Sequence, residues 1–148
     1  MRPRLLLHDP DAAFRLRAIG ALREEFEVTA AQPGDDVIRL ARALRPDVAL
    51  LAAGGRARVE AIRLTRVLKT DVRVVPGMGL YTHPGEEPPT EAAVRAAQAD
   101  GMLFEVSTGP PLLAFAEALA RGERPLPQPW PGRPSGPLRR LVSRVLGG

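Results

Sequence analysis

The sequence predicts an α/β protein built on a parallel sheet. From residue 1 to about residue 122, short apolar runs alternate with segments whose apolar residues recur at helical spacing. The clearest run, Asp47–Ala52, follows such a helical segment and ends at the Gly54–Gly55 pair, which is typical of a turn. Strands that alternate with helices in this way form βαβ units, so the strands are expected to be parallel.

Five strands and five helices account for this part of the chain. The predicted strands are Arg4–His8, Phe26–Ala31, Asp47–Ala52, Asp71–Val75 and Gly101–Val106. The predicted helices run from about Asp11 to Glu25, from Asp35 or Asp36 through Leu44, over Val59–Leu68, from a Thr90 cap to about Gln98, and from Ser107 or Thr108 to Gly122. The fourth strand is followed by a long loop, 76–89, rich in proline and glycine.

The composition changes after residue 122. Six of the sixteen prolines lie between Pro125 and Pro137, around the only tryptophan, Trp130, so residues 123–137 are expected to form a semi-extended linker. Residues 138–148 are predicted to form a short basic amphipathic helix, which must dock on something to be stable. Its apolar side comprises Leu138, Leu141, Val142, Val145 and Leu146, and its basic side comprises Arg139, Arg140 and Arg144; these eight residues are the predicted interaction surface.

Composition excludes several classes of function. The chain has no cysteine, so disulfides, thiolate metal sites and cysteine nucleophiles are ruled out. No apolar stretch approaches the roughly 20 residues of a membrane-spanning helix, so no transmembrane segment is expected and the predicted location is cytoplasmic. The net charge of +4 arises from twenty arginines and one lysine interspersed with acids. That distribution favours a bias in codon composition over a nucleic-acid surface.

Two stretches resemble the receiver domains of bacterial response regulators. The segment from Ile38 to Gly55 resembles the helix, Pro-Asp pair and third strand of a receiver, and Ala99–Val106 resembles the Ala-Asp-Gly-Tyr-Leu-Leu-Lys-Asp run of receivers with a helix-turn-helix output domain. The resemblance covers residues 3–122. It implies a flavodoxin-like fold, with a five-stranded parallel sheet and helices on both faces.

Receiver chemistry needs an acidic pair, an aspartyl nucleophile, a hydroxyl, a lysine and a switch aromatic at the carboxyl ends of the strands. The resemblance places these roles, in that order, at His8–Asp9, Ala52, Met78 (or Gly77), Glu105 and Met102. Half of the acidic pair therefore survives and the other four roles are lost. A methyl group cannot attack phosphorus, so the resemblance implies a receiver fold without phosphotransfer, no enzymatic activity and no cofactor.

The predicted pocket also brings two carboxylates together. Asp9 and Glu105 are expected to end adjacent strands, where at about 6 Å they would repel by roughly 3 kcal/mol. An arginine bridge from Arg56 or Arg58, or side chains that simply diverge, is favoured over a metal site. A raised carboxyl pKa and a cation held by His8, Asp9 and Glu105 are the other possibilities.

The predicted function is that of a pseudo-receiver, which acts in bacterial signal transduction or transcription regulation without phosphorylation. It would work through an unidentified protein partner, and a homodimer is expected. The resemblance implies that the last two helices and the strand between them form the surface for dimerisation or for docking a partner. The alternative is a sensor of a small molecule or metal ion, with the ligand at the carboxyl ends of the strands. About eleven residues after the linker are too few for a helix-turn-helix, so no sequence-specific nucleic-acid binding is expected.

Overall fold

The computed structural model describes residues 1–127 and 129–131. A five-stranded parallel sheet is flanked on both faces by helices, which confirms the predicted fold class. The strands are β1 (Arg4–His8), β2 (Glu27–Ala30), β3 (Val48–Ala52), β4 (Gly77–Tyr81) and β5 (Gly101–Leu103). Their order across the sheet is β2-β1-β3-β4-β5, and every neighbouring pair is parallel.

The helices are α1 (Ala12–Leu22), α2 (Val37–Leu44), α3 (Arg58–Arg66), α4 (Glu91–Ala96) and α5 (Gly109–Ala120). A short 3₁₀ turn (Gly55–Ala57) precedes α3, and a wide π turn (Val67–Asp71) follows it. Among the described residues no helix has the length and apolar character needed to cross a membrane.

Side-chain caps fix three of the helix starts. Asp11, Asp36 and Thr90 occupy N-cap positions and accept hydrogen bonds from the backbone N–H groups three residues later. These bonds satisfy donors that the first turn of a helix leaves unpaired. The predicted start at Asp36 and the predicted Thr90 cap are therefore confirmed.

Two apolar layers hold the helices on the sheet. On one face α1 and α5 bury Phe14, Phe115 and their neighbours against β1, β3 and Tyr81 of β4. On the other face α2, α3 and α4 pack against alternate residues of the same strands, among them Leu6, Leu51 and Leu80. Every residue of β3 is buried, as expected for the central strand of a sheet covered on both sides.

The predicted fourth strand, Asp71–Val75, is wrong. The chain there finishes the π turn and then reverses, with Arg73 in the left-handed region at φ 56°. The strand lies six residues later, where glycines interrupt the apolar pattern that would identify a strand. Glycines are needed there because α5 crosses β4 too closely for side chains. A β-carbon at Gly79 would lie 2.6 Å from Leu119 Cδ1 and 2.7 Å from Phe115 Cε2.

Residues after α5 do not leave the domain at once. Among residues 123–131, predicted as part of a linker, Trp130 is only 3% exposed and belongs to the layer that contains α3 and α4. The division of the chain near residues 122 and 137 stays a prediction. The predicted helix 138–148, with its eight interaction residues, lies outside the described residues.

Candidate functional site at the carboxyl edge of the sheet

The carboxyl ends of the strands meet at one edge, where the resemblance places receiver chemistry. Asp9 directly follows β1, Ala52 ends β3, Thr82 directly follows β4 and Glu105 lies two residues beyond β5. Ala52 is the register partner of Tyr81, and both belong to the apolar layer that contains α1 and α5. At 5% exposure, the end of the central strand offers a buried methyl group and no side-chain oxygen atom.

Asp9 is the buried carboxylate of this edge, and three donors surround it. The Tyr81 hydroxyl donates to Oδ2 at 2.6 Å, His83 Nε2 lies 2.8 Å from the same oxygen, and the Asp11 backbone N–H donates to Oδ1 at 2.9 Å. A carboxylate can only accept, so His83 carries its proton on Nε2 in this contact. These bonds supply what a side chain with no solvent exposure would otherwise obtain from water or from a cation.

The hydroxyl of Tyr81 is held in its protonated form. Burial raises the pKa of Tyr81 well above its ordinary value, and the adjacent Asp9 carboxylate raises it further. An ionised phenolate beside a carboxylate would be buried and repelled, so the phenol remains a donor at neutral pH.

Aromatic contacts fix both donor side chains. The Phe14 ring of α1 lies 5.6 Å from the Tyr81 ring and 4.5 Å from the His83 ring, measured between centroids. The tyrosine and histidine rings are 5.9 Å apart. Packing from α1 therefore keeps the two donors directed at Asp9, and we name Asp9, Tyr81 and His83 the edge triad.

The loop after β4 covers the edge triad. The Glu86 carboxylate accepts from the His83 backbone N–H at 2.8 Å, which places this side chain against Gly54. A β-carbon at Gly54 would lie 2.7 Å from Glu86 Cβ, so glycine permits this close approach. Glu87 ties the loop to the turn after β3, because its carbonyl accepts from the Gly55 N–H at 2.9 Å and its carboxylate pairs with Arg58 at 3.0 Å.

A hydroxyl does lie at this edge, contrary to the prediction. The predicted hydroxyl positions, Gly77 and Met78, begin β4, and Met78 pairs with Ala49, three residues before Ala52. The residue after β4 is instead Thr82, which is 1% exposed. Its Oγ1 accepts from the Glu105 backbone N–H at 3.1 Å, so the hydroxyl fastens the end of β5.

The predicted crowding of Asp9 and Glu105 is also wrong. Their strands are not adjacent, because β3 and β4 lie between β1 and β5. Glu105 is exposed and in the left-handed region at φ 58°, and its carboxylate accepts a long hydrogen bond from the Gly85 N–H at 3.3 Å. No arginine bridge is needed, since the donors described above already satisfy Asp9.

The remaining predicted site residues do not join the edge triad. His8 Nδ1 is buried without a hydrogen-bond partner, and burial lowers the pKa of this imidazole, partly offset by the Asp9 carboxylate. Met102 is buried within β5 on the side of α3 and α4. In the described ranges 1–127 and 129–131, no three carboxylate or histidine side chains are grouped so as to hold a metal ion, and His8, Asp9 and Glu105 form no such group.

Sequence reasoning did not place Tyr81, Thr82 and His83 at this edge of the sheet. The signal was present, because the apolar pair Leu80–Tyr81 is followed directly by a hydroxyl and an imidazole. It was hidden when the strand was placed at Asp71–Val75 and these residues were assigned to a loop.

Comparison with known proteins gives the fold and little sequence similarity. No protein-family model matches this sequence, and no curated protein is significantly similar to it. Solved structures match over most of the chain. The signal receiver domain of the putative response regulator NarL from Mycobacterium tuberculosis is 22% identical, with a TM-score of 0.63 over 82% of this chain and 98% of that domain.

Other receivers match equally well. The chemotaxis response regulator CheY4 of Vibrio cholerae is 18% identical, with a TM-score of 0.66 over 80% of this chain and 99% of its own. HP1043, an orphan response regulator of H. pylori, is 15% identical, with a TM-score of 0.63 over 82% of this chain and 100% of its own. The chain therefore has the fold of a response-regulator receiver domain, with the edge triad and an alanine at the carboxyl edge of its sheet.

Proposed function

We propose that this chain is a pseudo-receiver, which acts in bacterial signal transduction or transcription regulation through protein contacts and without phosphorylation. The observation that carries the proposal is Ala52 at the end of the central strand. An aspartyl phosphate forms only when a carboxylate oxygen attacks phosphorus, and the described residues at this edge offer no free carboxylate on β3.

The edge triad supports the same proposal from a second direction. A hard cation such as Mg²⁺ binds several oxygen ligands, whereas the Asp9 carboxylate already accepts from Tyr81, His83 and the Asp11 N–H. Glu105 stands where the resemblance places the lysine that balances phosphate charge. Binding a magnesium ion and a phosphoryl group would require that the hydrogen bonds to Asp9 break. It would also require that the Glu105 carboxylate face the negatively charged phosphate oxygens.

The alternative, a sensor with its ligand at the same edge, has less support. The Asp9 carboxylate finds its donors within the protein. The loop 82–89 is held at this edge through Glu86 and Glu87. With this edge filled by its own side chains, the fold still presents its helical faces, which suits recognition of another protein. Homodimerisation, a cytoplasmic location and the absence of enzymatic activity belong to this proposal.

Incubation with acetyl phosphate and magnesium tests the proposal. Because position 52 has no nucleophile, the intact mass of the protein is expected to stay unchanged under conditions that fully modify an active receiver run in parallel. A stable gain of one phosphoryl group, mapped to any residue of the carboxyl edge, would overturn the proposed function.

A further inference from the structure

The chain covers one edge of its own sheet with the segment that follows α5. We name residues 123–131 the strap; Gln128 within it lies outside the described residues. β5 is an edge strand, and the Met102 backbone N–H donates to the Pro125 carbonyl at 3.0 Å. The strap therefore supplies a backbone acceptor to an edge that would otherwise present an unpaired donor.

Trp130 anchors the strap in a site that suits an indole. Its Nε1–H donates to the Pro89 carbonyl at 3.1 Å, and its ring meets the Phe104 ring edge-on, at 5.0 Å and 86°. Apolar residues of α4 and β5, including Val94 and Met102, belong to the same buried cluster. A carbonyl acceptor and an edge-on aromatic ring at the rim of an apolar site together select tryptophan over other apolar side chains. We name this site the indole seat.

A charged contact lies at the other end of the strap. Arg124 Nε is 3.9 Å from Asp100 Oδ1, and Asp100 is held in place by Lys69 at 2.8 Å. Along the strap the surface thus offers an acidic group, a backbone donor and an indole seat. An extended peptide with an arginine, a proline directly after it and a tryptophan six residues after the arginine matches all three.

The strap has the character of a peptide ligand held in cis. Prolines occupy positions 125, 127, 129 and 131, so the segment has few backbone donors with which to form a sheet of its own. Proline-rich segments are stiff and extended before they bind, and aromatic grooves recognise them at a low cost in ordering.

We propose that the surface between α4 and β5 is a binding groove for an extended, arginine- and proline-containing peptide with one tryptophan. The strap is its resident occupant, and the corresponding segment of a partner protein displaces it. This inference rests on the proposed function, because a module that acts through protein contact needs such a surface. It identifies the contact surface and the chemistry of the partner.

The test uses the full chain with Trp130→Ala, which has no other tryptophan. A synthetic peptide of the sequence of residues 123–131 then contains the only indole in the mixture. On titration with the variant we expect a saturable blue shift of the peptide's emission. Binding to the wild-type protein is expected to be weaker by at least about tenfold, because its own strap competes for the groove; anisotropy of the same peptide labelled with a dye compares the two proteins.

Two further variants control this titration, and circular dichroism verifies that each is folded. Adding Phe104→Ala to the Trp130→Ala chain should weaken binding, since it removes one wall of the indole seat. Adding Leu16→Ala, at a residue of α1 that is 71% exposed, should not change it. If Trp130→Ala does not fold, Trp130→Phe supplies a second tryptophan-free protein that keeps a ring in the seat.

Three results would overturn the inference. One is the absence of a saturable shift with a folded variant, and another is equal affinity for the variant and the wild type. The third is a wild-type dimer in light scattering that Trp130→Ala converts to monomer, which would make a second copy the occupant. No phosphoryl donor is present in these titrations, so a failure to bind the peptide leaves the proposed function standing. Conversely, a chain that proved to be phosphorylated could still bind the peptide.

Discussion

Replacing Ala52 with aspartate is expected to destabilise the protein by about 2–4 kcal/mol at neutral pH, because it buries an unpaired charge. Position 52 is 5% exposed, lies beside Tyr81 and faces the apolar layer of α1 and α5. The new carboxylate would also repel the Asp9 carboxylate. No lysine would offset this repulsion, because Glu105 stands at the position where the resemblance places the lysine. Urea unfolding followed by circular dichroism measures the change in the free energy of unfolding.

The effect of Ala52→Asp should depend on pH in a defined direction. Burial favours the neutral acid and raises the pKa of the introduced carboxyl above its unfolded value, so the loss of stability is largest above that folded pKa and shrinks as pH falls towards about 4. Ala52→Asn is the matched control, because asparagine is similar in size to aspartate but has no ionisable group. A variant as stable as the wild type at pH 7 would contradict the burial of position 52 in the apolar layer of α1 and α5.

Tyr81→Phe is expected to cost about 1.5–3 kcal/mol at pH 7, the range for a hydrogen bond to a charged group. The change removes the 2.6 Å hydrogen bond and leaves the buried Asp9 carboxylate one donor short. Asp9→Ala, which removes the acceptor, and the double variant complete a thermodynamic cycle, whose coupling energy isolates the contact. Additive effects of the two substitutions would show that the hydrogen bond contributes nothing to stability.

Alkaline pH supplies a second measurement on the same residue. The pKa of Tyr81 is raised in the folded protein by burial and by Asp9. The stability that this raised pKa contributes is complete below the unfolded value of about 10 and is lost as pH rises through the folded value. Wild-type stability should therefore fall above about pH 10, and Tyr81→Phe should lose less over the same interval. Equal pH dependence of the stability of the two proteins would contradict a raised pKa of Tyr81 in the folded protein.

Much of the fold could be predicted because single residues carry strong local signals. The fully apolar run that ends at Ala52 is the central strand, and Asp36 and Thr90 cap helices as their positions indicate. Position 52, which decides the proposed chemistry, was found because the helix, Pro-Asp pair and strand that lead to it resemble the middle of a receiver domain.

The rest depends on tertiary contacts that no local pattern contains. Glycines in β4 weaken every strand signal there, and their reason, the close crossing of α5 at Gly77 and Gly79, is visible only after folding. Assigning Asp9 and Glu105 to neighbouring strands required the strand order. Trp130 was placed in a linker because prolines surround it, whereas its burial depends on Pro89 and Phe104, which are distant in sequence.

We propose that the carboxyl edge, closed by its own side chains, accepts neither a cation nor a phosphoryl group. The most direct measurement is the ¹H–¹⁵N amide spectrum during titration with magnesium and beryllofluoride, an analogue of the phosphoryl group. We expect the signals of Asp9, Ala52–Gly55 and Thr82–Glu86 to stay in place. Saturable shifts confined to these residues would show an open, ligand-binding edge and contradict the account.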